Sequence, residues 1–91
     1  MIKSFRHKGL KELFTTGKSA KINPPLRQRC SDVLEVLDAT EVLSDINLPG
    51  YNFHPLKTKP VRYSIHVNGP WCITFEFEAP DAWRGDLEQY H

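Results

Sequence analysis

The apolar positions divide this chain into a helical half and a strand half. Leu10, Leu13 and Phe14 share a face at helical spacing and predict a first helix over about Arg6–Thr16, with Gly17 as its stop. A basic connector, Lys18–Ile22, leads to Asn23-Pro24, a favoured N-cap followed by proline at the first helical position. From there Leu26, Cys30, Val33, Leu34 and Leu37 recur on one stripe and predict a second helix to about Ala39. Glu41–Ile46 reads as one further helical turn, closed by Asn47-Leu48-Pro49-Gly50.

After Gly50 the period changes from helical to two. Tyr63, Ile65 and Val67 alternate with Arg62, Ser64 and His66, and after the Asn68-Gly69-Pro70 turn Trp71, Ile73, Phe75 and Phe77 alternate with Cys72, Thr74, Glu76 and Glu78. Ala79–Ala82 turns the chain into a last strand over about Trp83–Gln89, and Ile2–Phe5 reads as a short edge strand. The expected fold is α+β, with two N-terminal helices packed on a small antiparallel sheet in one domain, residues 1–91. The aromatic face of the sheet must meet the helices. The face with Arg62, Ser64, His66, Cys72, Thr74 and Glu76 is expected to stay polar and open.

Composition narrows the class. With 91 residues there is room for one modest core, and 40% hydrophobic residues are enough to form it. No apolar run approaches the roughly 20 residues of a membrane span, and Met1–Phe5 does not open a signal peptide. A cytoplasmic chain without membrane contact is expected. Cys30 and Cys72 are too few for a disulfide framework or zinc site, so free thiols are expected. The net charge of +1 conceals segregation. Residues 1–29 carry eight lysines and arginines against Glu12, residues 30–50 carry only acids, and residues 51–70 carry only Lys57, Lys59 and Arg62. A basic face that follows a polyanion would show this pattern.

The chemistry-bearing residues are sparse. There is no Gly-rich phosphate loop, paired-His metal motif or nucleophile elbow, so no metal and no cofactor are expected. His54 lies in a loop entering the sheet, three residues before Lys57; His66 belongs to the polar face; Tyr90 and His91 end the chain. His7, beside Arg6 and Lys8, is expected to be merely solvated. Cleaving RNA without a metal needs a base for the ribose 2′-hydroxyl, an acid for the leaving 5′-oxygen, and cations for the phosphate. Histidine suits the first two tasks, lysine and arginine the third.

The order of several segments carries a resemblance. Met1–Lys11, Phe14–Lys18, His54-Pro55-Leu56-Lys57, Tyr63–Asn68, Trp71–Phe75 and the terminal Tyr90-His91 together resemble the HigB branch of the RelE-like toxins over nearly the whole chain. That resemblance implies a microbial-RNase-like α+β domain acting as the toxin of a type II toxin–antitoxin system. It implies a ribosome-dependent mRNA endoribonuclease that works by metal-independent 2′-hydroxyl attack. The implied partners are a helix-turn-helix antitoxin of the HigA type, the ribosome with its mRNA, and operator DNA through the antitoxin complex only. Carried over by motif, His54 and His91 are the acid–base candidates, Lys57 a phosphate contact, and Tyr90 a residue that stacks on or orients RNA. Arg62, His66, Lys59 and Gln89 complete the expected RNA contacts.

Two positions depart from the family pattern. An arginine usually follows the aromatic of the second long strand, where this chain has Cys72, and an acid usually precedes Tyr-His, where it has Gln89. A thiol cannot replace a planar, permanently charged clamp. Arg62 and His66, on the same sheet face, are the expected substitutes. The alternative is a catalytically weakened member that acts mainly through its antitoxin as an autoregulatory module. A free-standing nucleic-acid-binding domain ranks third, supported by the basic segment alone.

Overall fold

The computed structural model describes residues 1–89, which form two α-helices on one face of a four-stranded antiparallel sheet. Helix α1 spans Lys8–Thr16 and α2 Pro24–Ala39, followed by a single 3₁₀ turn at Leu43–Ile46. Strands β1 (His54–Pro55), β2 (Tyr63–Asn68), β3 (Trp71–Glu78) and β4 (Asp81–Gln89) lie in sequence order as a meander. No helix among the described residues is long and apolar enough to cross a membrane.

Local chemistry accounts for the helix ends. Gly17 takes a left-handed conformation (φ 80°) and its N–H donates to the Leu13 carbonyl at 2.9 Å, which closes α1 as the sequence predicts. Its start is less expected. His7 is the N-cap, with Nδ1 accepting from the Leu10 N–H at 3.2 Å, so it is not merely solvated. At α2, Asn23 occupies the N-cap position but its side chain caps nothing. The reason lies in the next two residues: Pro24 and Pro25 fill the first helical positions and bring no N–H to receive. Leu26 then donates to the Asn23 carbonyl instead, at 2.9 Å.

The predicted stripe of α2 (Leu26, Cys30, Val33, Leu34, Leu37) is buried throughout, and Ile46 of the 3₁₀ turn is completely enclosed beside it. These side chains meet Ile65, Val67, Ile73, Phe75, Ala82 and Leu87 from the sheet. Burial pushes the Cys30 thiol up to about 11, so it serves as a small hydrophobe. Both cysteines are free.

Both sheet edges are managed. At the β4 edge, residues 1–6 run parallel and pair at two points, Ile2 with Ala82 and Phe5 with Gly85. The ladder includes Lys3 N–H to the Ala82 carbonyl at 2.7 Å and Gly85 N–H to the Ser4 carbonyl at 3.0 Å. The expected edge strand is therefore present as an intermittent pairing. At the other edge, the segment read from sequence as a loop contributes the two-residue strand β1, with His54 opposite Ser64 and Pro55 opposite Tyr63. An edge this short exposes few unpaired backbone groups.

Gly9 makes the first testable case. In an exposed helix, alanine outranks glycine by up to about 1 kcal/mol. Here an added Cβ would stand 2.8 Å from His7 Cε1 and 2.9 Å from Lys21 Cβ, so the methyl would displace the capping ring and the connector stem. Gly9→Ala is therefore expected to lower stability, by about 1–2 kcal/mol for the overpacking and lost cap together. A urea midpoint equal to or above that of the parent would contradict this.

Candidate functional site

The face of the sheet away from the helices carries the polar residues, and the strand register sets them in rows. His54, Ser64, Thr74 and Asp86 lie abreast, one from each strand. One row along, His66 pairs with Cys72 and Cys72 with Glu88; in the other direction Glu76 pairs with Trp83, with Arg62 just ahead of β2. Successive rows are about 7 Å apart, two residues of strand rise.

This face is polar, as expected, but it is not open. Ser64 and Thr74 are enclosed, and Arg62, at 6% exposure, lies flat inside it. The Arg62 guanidinium donates through Nη1 to Glu76 Oε2 (3.0 Å) and through Nη2 to Thr74 Oγ1 (3.1 Å) and the Arg84 carbonyl (2.8 Å). Thr74 Oγ1 in turn donates to Glu88 Oε2. Arg84 Nη1 donates to Glu76 Oε1 at 3.1 Å, and Arg6 Nη2 comes within 3.8 Å of Oε2. Arg62 Nε and Ser64 Oγ are buried there and find no partner among the described residues. Arg62, expected as an RNA contact, instead spends its donors on the sheet. The planar fork explains the choice: it reaches three acceptors at once, which a lysine ammonium on its single stem does not do in a plane.

The histidines sit on the rim of this buried cluster. His54 is exposed at the β1 edge, and its Nδ1 lies 2.8 Å from the Asn52 carbonyl. A carbonyl only accepts, so Nδ1 carries the proton and Nε2 of the neutral ring is left as a base. Asn52 holds that carbonyl in place from a left-handed conformation (φ 45°), which asparagine tolerates better than most residues. His66 is half-buried directly across from Cys72, with Nε2 3.0 Å from the Gly69 carbonyl. It is thus the side chain on the spot where the family's strand arginine is missing.

The remaining candidates are placed more simply. Lys57 and Lys59 are exposed on the loop joining β1 to β2, which is closed by the Leu56 N–H to Arg62 carbonyl bond (2.7 Å) and the Arg62 N–H to Thr58 Oγ1 bond (2.9 Å). Gln89 is exposed opposite Trp71 and falls by alternation on the other face from Glu88. Tyr90 and His91 lie outside the described residues. The period of two in β4 also places Asp86 and Glu88 on this face, which the sequence reading did not single out, and Trp83 joins them only through the bulge at Arg84-Gly85. Among the described residues, no three histidines, cysteines or acids gather as a metal-binding group.

The acids of the helical half lie elsewhere. Asp32 and Glu35 are exposed on α2, on the far side of the sheet, while Arg6, Lys57, Lys59 and Arg84 surround the polar face. The charge segregation of the sequence does not become a clean division between two sides, since Lys8, Lys11, Arg27 and Arg29 lie on the helices and Glu76, Asp86 and Glu88 on the polar face.

Removing one partner of a buried ion pair leaves the other charge uncompensated, at about 3–5 kcal/mol. Glu76 is the shared counter-ion of Arg62, Arg84 and Arg6, and its side chain is only 14% exposed. Glu76→Gln is expected to lower stability by about 3 kcal/mol, whereas Glu78→Gln on the exposed neighbour should change it by under about 0.5 kcal/mol. Equal losses for the two in chemical denaturation would contradict this role for Glu76.

Comparison with known proteins agrees with the geometry. A family model described as a RelE-like toxin of type II toxin–antitoxin system HigB matches residues 3–89. A curated relative, Endoribonuclease HigB of Proteus vulgaris, is 40% identical over 92 residues, covering the whole of both chains. With a meander sheet under two helices and a histidine-rimmed polar face, the chain belongs to the HigB-type RelE-like toxins of type II toxin–antitoxin systems.

Proposed function

We propose that this toxin is an endoribonuclease that cuts mRNA in the decoding site of the ribosome, by attack of a ribose 2′-hydroxyl on the adjacent phosphorus. The observation that carries the residue assignment is the His54–Asn52 contact. With Nδ1 committed to the Asn52 carbonyl, Nε2 faces outward as the proton acceptor. In the reaction His54 takes the 2′-hydroxyl proton, the 2′-oxygen bonds to phosphorus, and the 5′-oxygen leaves with a proton from His91. The products are a cyclic phosphate and a free 5′-hydroxyl. Lys57 steadies the phosphate charge and Tyr90 stacks on or orients the RNA, with Lys59 and His66 as further contacts, while Gln89, on the other face of the sheet, is not assigned one. Arg62 acts one step back, as the cation that keeps the face rigid.

An antitoxin is implied by the family; we assign it to the helix-turn-helix HigA type, with operator DNA reached only through the complex. The toxin acts where ribosomes are, in the cytoplasm. The weakened-member reading rests on Cys72 and Gln89, and His66 opposite Cys72 does not replace the absent cation, because its Nε2–H is committed to the Gly69 carbonyl.

His54→Gln is expected to abolish growth arrest on expression and to lower cleavage by on the order of 10²-fold or more in primer extension with purified ribosomes. The variant should still co-purify with the antitoxin. Cleavage within a few-fold of the parent would remove His54 from the chemistry. The same assay tests its orientation. Asn52→Val disfavours the left-handed turn and should reduce cleavage by on the order of tenfold or more, while Asn52→Gly keeps the turn and most of the activity.

A further inference from the structure

The polar face ends in a recess that the acid–base chemistry leaves unused. It has a volume of about 290 Å³ and is walled by Pro60, Val61, Phe77 and Trp83, with Arg84 and Glu76 on its rim. Trp83 is half-buried, so part of its large apolar area is left for a ligand. Glu76 joins Arg84 to Arg62 and Arg6, and Glu78 also lines the recess, so three guanidiniums face two carboxylates. Arg62 is internal. The cations that remain available are Arg6 and Arg84, whose side chains are 50% and 52% exposed.

The backbone supplies a second, independent observation. Arg84 has φ 52°, the left-handed region that glycine enters freely and a side-chain-bearing residue enters at a cost. It stands in the irregularity of β4 between Trp83 and Asp86, where two residues face one on β3. Strain kept beside a recess points to a use for the side chain it presents. An aromatic wall with an adjacent exposed arginine matches the needs of one ligand chemistry: a flat base to stack and a phosphate to pair. The recess lies one row along the strands from the row of His54 and three strands across, about 16 Å away at ordinary strand spacings, a distance that two to three nucleotides bridge.

We propose that this recess is a single-stranded RNA subsite, in which a base stacks on Trp83 while Arg84 and Arg6 hold its phosphate. The proposal rests on the RNA-cleaving reading above, and its readout is binding rather than cleavage. Two RNAs present this chemistry, the message near the cut and an exposed nucleotide of ribosomal RNA.

Binding is measured on a His54→Gln background, by fluorescence anisotropy with a labelled RNA pentamer and by pelleting with ribosomes freed of mRNA. Trp83→Leu keeps apolar bulk without a π face and should weaken binding about fivefold or more, while Trp83→Phe stays within about twofold. Arg84→Gly relaxes the turn as it removes the charge. It should melt no lower than the parent yet bind more weakly, with a shallower salt dependence. A loss confined to the pentamer assigns the recess to the message, and a loss confined to ribosomes assigns it to ribosomal RNA. Parent-like binding by both Trp83→Leu and Arg84→Gly in both assays overturns the subsite, as does failure of the background chain to bind either RNA. Should Trp83→Leu fail to fold, Arg84→Gly decides alone. Because no cutting is measured, persistence of cleavage in His54→Gln would overturn the catalytic assignment without touching this result.

Discussion

The buried Arg62–Glu76 pair is the interaction on which the functional face depends. One side of this sheet has no second layer, so the helices cannot order it. The guanidinium does that work by bonding three strand-borne acceptors, Glu76, Thr74 and the Arg84 carbonyl, and Thr74 passes the constraint on to Glu88. Its own backbone closes the Leu56–Arg62 loop, so the lysines of that loop and the end of β4 are tied to one centre. Taking a charge out of water is costly, and such a pair is tolerated where its hydrogen bonds are nearly complete. Here the guanidinium makes three hydrogen bonds from its five N–H donors, and among the described residues Nε finds no partner inside the face.

The rim follows from this centre. In the row of His54, Ser64 and Thr74, small and enclosed, occupy the middle strands, and the titratable His54 and Asp86 stand at its two ends. His54 gains its exposure from β1 being two residues long, and its orientation from a carbonyl just two residues earlier in the chain. A group at a sheet edge reaches a bulky polymer more easily than one at the centre. Placing the cation inside and the imidazole outside gives a rigid floor with an accessible imidazole.

Much of this was legible in the residues. The period of 3.6 in Leu26–Leu37 and the period of two in Tyr63–Phe77 mark elements whose one apolar face must be buried, so α2, β2 and β3 follow from the pattern. The Gly17 stop is equally local. What could not be read depends on partners distant in sequence. His7 became a cap because Gly9 leaves room for its ring against Lys21. Asn23 lost its capping role to the prolines that mark the same helix start. Arg62 looked like a surface cation until Glu76 and Thr74, twelve to fourteen residues away, closed around it. The family resemblance pointed to His54 and His91 as candidates, and alternation alone could have pointed to Glu88, whereas Trp83 reaches this face only through the bulge at Arg84-Gly85.

The missing strand arginine takes on a different meaning in this setting. An arginine at the position of Cys72 would place its charge at the row of His66 and Glu88, about 13 Å along β3 from Glu76. In this chain the guanidiniums cluster at the other end, where Arg6, Arg62 and Arg84 share one carboxylate. The cationic character of the face is therefore centred toward Trp83 rather than at Cys72. Phosphates follow the local field rather than a particular strand position, so RNA on this face should lie nearer the β3–β4 hairpin than a family arginine after Trp71 would draw it. The acids on the face act in the same direction, since Glu88 stands opposite Cys72 and Asp86 opposite Thr74, which makes the end away from Trp83 the less favourable place for a phosphate.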